Sequence, residues 1–154
     1  MKRAAAAAGL LIVFVACAER NTSTADTGVV GDTSGSSVAS TDFAGTWEGS
    51  SLDTAGNPLV RTELIATGSE TGWKLNLVNA ADTTKRTTTE VRVVSRAGDS
   101  VVVESGPYPS VLRAGQQVTT RTVYRLENGR LVGITDATYP GGDVVRLRGE
   151  LTRR

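Results

Sequence analysis

Gln117-Val118-Thr119-Thr120-Arg121-Thr122-Val123-Tyr124-Arg125-Leu126-Glu127-Asn128-Gly129-Arg130 is the stretch from which the fold is read. Val118, Thr120, Thr122, Tyr124 and Leu126 fall on one parity, and Thr119, Arg121, Val123 and Arg125 on the other. A period of two puts the sets on opposite faces of an extended strand, one mostly apolar and one charged. Asn128-Gly129 follows at once. That dipeptide accepts the positive φ that a type I′ turn needs at both central positions, so the chain is expected to double back as a hairpin.

The same alternation extends in both directions. Val91, Val93 and Ser95 alternate with Arg92, Val94 and Arg96; Val145, Leu147, Gly149 and Leu151 alternate with Arg146, Arg148 and Glu150. Turn-forming runs separate these segments at Thr54-Ala55-Gly56-Asn57-Pro58, Gly68-Ser69-Glu70-Thr71-Gly72, Ala97-Gly98-Asp99 and Tyr139-Pro140-Gly141-Gly142. Eight strands are predicted near 44–51, 59–67, 72–79, 87–96, 99–105, 117–127, 130–139 and 143–152, with no helical stripe between them. The expectation is an all-β domain over 42–154, a small antiparallel up-and-down barrel of about eight strands. A two-sheet β-sandwich is the alternative. Closure into a barrel removes the unpaired edges that invite aggregation.

Phe43-Ala44-Gly45-Thr46-Trp47-Glu48-Gly49 resembles the Gly-x-Trp first-strand signature of the lipocalin-like (calycin) barrels. The resemblance implies that Trp47 plugs a closed barrel end and that an arginine of the last strand packs over it, with Arg146 and Arg148 on offer. Gly45 and Trp47 carry the match. Phe43, Gly45, Trp47 and Gly49 share one face, so the indole points inward with small neighbours. An arginine stacked there gains about 0.5–2 kcal/mol, depending on desolvation. The Gly-Thr-Trp opening is also similar to that of avidin-like barrels, but Trp47 and Trp73 are the only tryptophans, too few to wall a biotin site.

Charge and composition exclude several classes. The chain carries 17 Lys+Arg against 16 Asp+Glu, and no basic block stands out, which disfavours nucleic acid as a partner. Histidine is absent and cysteine occurs once. His-based triads, His/Cys zinc sites and an internal disulfide are therefore excluded. With no nucleophile motif, phosphate loop or metal cluster, neither an enzyme nor a cofactor is expected. Glu48, Glu63, Glu104, Asp136 and Glu150 are spread over different strands, and no spacing nominates an acid/base pair.

Inward-facing residues nominate a ligand cavity: Trp47 at the closed end, then Leu64, Trp73, Leu75, Leu77, Val103, Val118 and Tyr124. The irregular stretch from Gly106 to Gly115 carries Tyr108, Val111, Leu112 and Arg113 outside any expected strand. It reads either as a flap touching ligand through Tyr108 and Arg113, or as a connection that docks its apolar residues on the barrel. Arg92, Arg121, Arg125, Arg146 and Arg148 fall opposite the apolar face; they are expected on a solvated exterior, the other reading being an anion-binding lumen. Two functions follow. One is a barrel binding an apolar small molecule or lipid; the other is a solid-cored interaction or structural module without ligand. A cavity beyond roughly 300 Å³ separates them.

The N-terminus is read last. Met1-Lys2-Arg3 is a positive start, and Ala4 to Ala16 is an uninterrupted small-to-apolar run. As a helix it would rise about 20 Å, short of the roughly 30 Å hydrocarbon core. An export signal is expected rather than a permanent span. Phe14-Val15-Ala16-Cys17 looks like a lipoprotein processing site, with Phe14 where leucine is usual, making 1–17 the signal with lipidation at Cys17. The resemblance implies an acylated N-terminus anchored in a bacterial cell envelope, with palmitate among its acyl chains, and in the outer membrane where two membranes exist, since Ala18 follows the cysteine. The alternative is cleavage after Ala18 and a secreted or periplasmic protein. Residues 18–41 are Ser/Thr/Gly/Asp-rich and lack aromatics, Leu and Ile. They read as a disordered tether reaching about 25–30 Å. The chain's own partner is thus expected to be the membrane, through the lipid.

Overall fold

The computed structural model describes residues 43–154. The signal, Cys17, the 18–41 tether and Asp42 lie outside the described residues. Eight strands follow in order: β1 Gly45–Leu52, β2 Pro58–Ala66, β3 Trp73–Asn79, β4 Arg86–Ala97, β5 Ser100–Pro109, β6 Gln117–Glu127, β7 Arg130–Thr138 and β8 Val144–Arg153. Each pairs antiparallel with the next, and β8 pairs back onto β1 to close the barrel. A closed barrel, not a sandwich, is the fold. Asn128 and Gly129 take φ values of +50° and +77°, as the β6–β7 hairpin requires.

The ladder shifts register at the end of β1, between Ser51 and Leu52, and at two further places, in β4 and in β5. In β4 the register with β5 shifts between Val93 and Ser95. The extra residue, Val94, reverses the parity beyond it, so Arg96 rather than Ser95 turns inward, opposite the buried Val101. In β5 the register shifts between Ser105 and Tyr108, and the strand then resumes with Tyr108 opposite Val118 and Pro109 opposite Gln117. Gly106–Pro109, expected as loop, is therefore strand. A shifted ladder is where proline, lacking an N–H, is tolerated. The irregular segment shrinks to residues 110–116.

The exterior is built from cross-strand charge pairs. Arg92, Glu104, Arg121, Asp136 and Arg146 are successive register partners across β4 to β8, and Glu104 binds both Arg92 and Arg121. Arg146 grips Asp136 with two hydrogen bonds, at 2.7 and 3.0 Å. All five arginines expected outside are exposed. Pairs this open to water contribute little individually. The core is inside. Phe43, Trp47, Leu64, Trp73, Val101, Leu131 and Leu151 are its most completely buried residues.

Candidate functional site

At the closed end two indoles are held alike. Trp47 Nε1 donates to the carbonyl of Phe43 at 2.8 Å, and Trp73 Nε1 donates to that of Ser69, also at 2.8 Å. Each ring is covered by a guanidinium: Arg153 over Trp47 at 4.6 Å from the ring centroid, Arg96 over Trp73 at 5.2 Å. The arginine on Trp47 is thus Arg153, not Arg146 or Arg148. Parity is the reason. Trp47 and Arg153 are register partners on β1 and β8, so their side chains share the inner face, whereas residues 146 and 148 have the opposite parity. Gly45 lies beside the same side chain, a Cβ built there being 3.7 Å from Arg153 Nε. The inward series Leu147, Gly149, Leu151 already pointed to residue 153. Nothing in the sequence signalled Arg96, because a one-residue bulge carries no compositional mark.

The open end is different. A cavity of about 50 Å³ lies between the upper halves of the strands and the 110–116 turn. Leu75, Leu77, Tyr108, Val118 and Tyr124, nominated from sequence, line it. Trp47, Leu64, Trp73 and Val103 do not; they are packed into the core. Hydroxyls that were not nominated line it too: Ser51, Thr62, Ser110, Thr120, Thr122, Thr135 and Tyr139. Thr120 and Thr122 share the Val118–Tyr124 face, so the alternation that found that strand's inner face also contained them.

These hydroxyls are arranged in pairs. Thr122 and Thr135 are 2.9 Å apart, Ser51 and Thr62 3.3 Å, Ser110 and Tyr139 3.1 Å, and Tyr108 donates to Thr120 at 3.5 Å. Tyr124 is placed by Gly133, its partner across β6–β7; a Cβ on Gly133 would lie 2.6 Å from the ring. Burial pushes the Tyr124 and Tyr108 phenols above their ordinary value, with the Thr120 contact partly opposing this for Tyr108. Both remain neutral donors at physiological pH. Among the described residues no carboxylate, Lys or Arg lines the cavity.

The 110–116 turn covers this end and is tied on both sides. Asn79 Nδ2 donates to the carbonyl of Val111 at 2.8 Å. Arg113 pairs with Asp143 and stacks 4.0 Å from the centroid of Tyr139. Ser110 Oγ accepts the backbone amides of Leu112 and Arg113 at 3.2 and 3.1 Å. Val111 is buried, and Arg113 faces the rim and not the cavity. Among the described residues no group of three acidic, His or Cys side chains could hold a metal ion. No protein-family model, curated protein or solved structure matches this chain.

Proposed function

We propose that this chain is an exported, lipid-anchored envelope protein that displays its barrel as a solid-cored recognition module, and does not carry an apolar molecule or lipid inside it. One observation supports the choice between the two readings. The barrel's own side chains leave about 50 Å³, against the roughly 300 Å³ at which drug-sized ligand sites begin. Contact surface is then supplied by the rim and the charged exterior. The lipid anchor rests on the position of Cys17, the single cysteine, between an apolar export segment and a Ser/Thr-rich stretch long enough to hold the domain off the headgroups.

Intact-mass and native mass spectrometry of the full chain, extracted from bacterial membranes, test both parts. The expected result is one acylated species, lost in Cys17→Ser, with no further adduct after delipidation. A retained non-covalent lipid would restore the carrier reading. An unmodified soluble chain beginning at Glu19 would remove the anchor.

A further inference from the structure

Among the described residues four large apolar side chains are exposed: Val94, Val123, Ile134 and Val144. Three of them share one row on the outer face of the barrel. Val123 is the register partner of Ile134 on β7 and of the half-buried Val102 on β5. Val94, the extra residue of the β4 bulge, lies between the Val93–Val103 and Ser95–Val102 pairs and completes the row. Single exposed apolar residues are ordinary on a surface, whereas a contiguous set marks a contact site. Two residues away along each strand runs a second outward row, Arg92, Glu104, Arg121 and Asp136, whose signs alternate from β4 to β7. Four alternating charges are complementary to their own reverse. A two-fold axis parallel to the strands, between β5 and β6, makes that reversal. It sets Glu104 against Arg121 of a second copy and Arg92 against Asp136. In the apolar row the same axis sets Val102 against Val123 and Val94 against Ile134, so one symmetry operation satisfies both rows.

From this geometry we propose that the outer face of β4 to β7 is the contact surface for a second copy of this chain, paired about that axis. The row on the other side of the valines agrees. Ala97, Ser100, Arg125 and Val132 are successive register partners, and the axis sets Arg125 against Ser100 and Ala97 against Val132, with no like charges facing. Three rows across four strands cover about 400 Å² of each copy at ordinary strand spacing. The pair then buries about 800 Å², the range of weak, reversible contacts. The inference names the partner of the displayed exterior and rests on that reading, because tethering to one membrane raises the effective concentration at which such a contact forms. Rotation about the axis also leaves Phe43 of both copies at the same height along it, so both chains enter their barrels at one level.

The test is cross-linking with a short, membrane-permeant bismaleimide in bacteria producing the full chain, with Val123→Cys beside the axis as reporter. A dimer is expected, in about tenfold greater yield than from Arg61→Cys on the outer face of β2. The unaltered chain gives the background from Cys17. Added to the reporter chain, Glu104→Arg sets arginine against arginine across the axis, and Arg121→Glu sets glutamate against glutamate. Each alone should lower the dimer yield about tenfold. The two variants produced together, with different affinity tags, should recover it as a mixed pair, because each then meets the opposite charge. A folding defect in either variant would not be repaired by mixing. Should the charge variants fail to fold, the comparison of Val123→Cys with Arg61→Cys decides. Equal cross-linking at those two positions, no recovery on mixing, or a product joined to a different protein would overturn the pairing. An acylated chain that stays monomeric would also overturn it and leave the anchor standing, whereas a dimer without acyl chains would support the pairing and remove the anchor.

Discussion

The guanidinium carbon of Arg96 lies 5.2 Å from the centre of the Trp73 ring, and both side chains bind the same carbonyl. Ser69 O accepts from Trp73 Nε1 at 2.8 Å and from Arg96 Nη2 at 3.1 Å. The arginine reaches this position because the β4 bulge at Val94 turns it inward. Together with Arg153 over Trp47, it gives the closed end two stacked cation–indole pairs.

A desolvated cation–π contact contributes about 1–2 kcal/mol, so Arg96→Met is expected to lower stability by about that much in urea titration. Arg92→Met, on the outer face of the same strand, should change it by about 0.5 kcal/mol or less. Trp47 also separates the arginines of β8. In a Trp73→Phe background, Arg153→Ala should shift the remaining tryptophan emission and Arg146→Ala should leave it in place. Equal effects of Arg96 and Arg92 would show that the inward position contributes nothing.

The β1–β8 seam closes at Gly49. A Cβ built there would lie 2.0 Å from the carbonyl oxygen of Glu150, backbone that cannot rotate away. Gly49→Ala is expected to cost about 3 kcal/mol or more, the upper end of overpacking penalties. Gly68→Ala, where an added Cβ meets no described atom within 4 Å, should stay within about 0.5 kcal/mol. Chemical denaturation of the two variants decides this, and a tolerated Gly49→Ala would mean the strands are not joined in this register.

The two ends of the barrel should respond differently to truncation. Leu64 is fully buried at the closed end, and Leu64→Ala is expected to cost about 2–5 kcal/mol through the void it leaves. Leu112, half-buried in the 110–116 turn, should cost about 1 kcal/mol or less when cut to Ala. Thermal melts of the pair test whether the solid core is where the indoles are.

Stability should be level from about pH 5 to 9, because the chain has no histidine. Hydrogen bonds from Arg146 hold Asp136 below the usual carboxylate value, and Asn57 and Thr84 do the same for Asp53 and Asp82. A depressed folded-state value means stability that is complete above about pH 4 and lost as pH falls through the folded values. The buried phenols act at the other limb. With Tyr124 and Tyr108 raised above 10 by burial, stability is complete below about pH 10 and falls above it, by about 1.4 kcal/mol per pH unit for each proton retained. Urea midpoints measured across pH check both limbs; Tyr124→Phe should flatten the alkaline one, and a step between pH 6 and 7 would contradict the assignment.

Much of this was legible before any tertiary structure. Alternation along 117–127 named the inner face of β6, Asn128-Gly129 named its hairpin, and the arginines at 92, 121, 125, 146 and 148 went to the side opposite the apolar residues. Trp47 was identified as inward from its parity with Gly45 and Phe43. The hydroxyls at Thr120 and Thr122 share that inner face, but apolar character alone does not mark them as lining. The connection at 106–109 read as loop because two prolines and a glycine resemble one. They form strand because the β5 bulge lets the ladder resume beyond them.

What the sequence by itself determined about this protein is which residues are strand, where the chain turns, and which of two faces each side chain takes, because these follow from a local period of two. Three things required the tertiary structure. The bulge at Val94 reversed that period and brought Arg96 onto Trp73. Closure set the β1–β8 register and so seated Arg153, whose inward parity the chain already gave, directly on Trp47. The space left inside depends on how side chains from all eight strands meet. Parity is a property of neighbours along the chain, whereas register and volume are set by residues that meet only when the barrel closes.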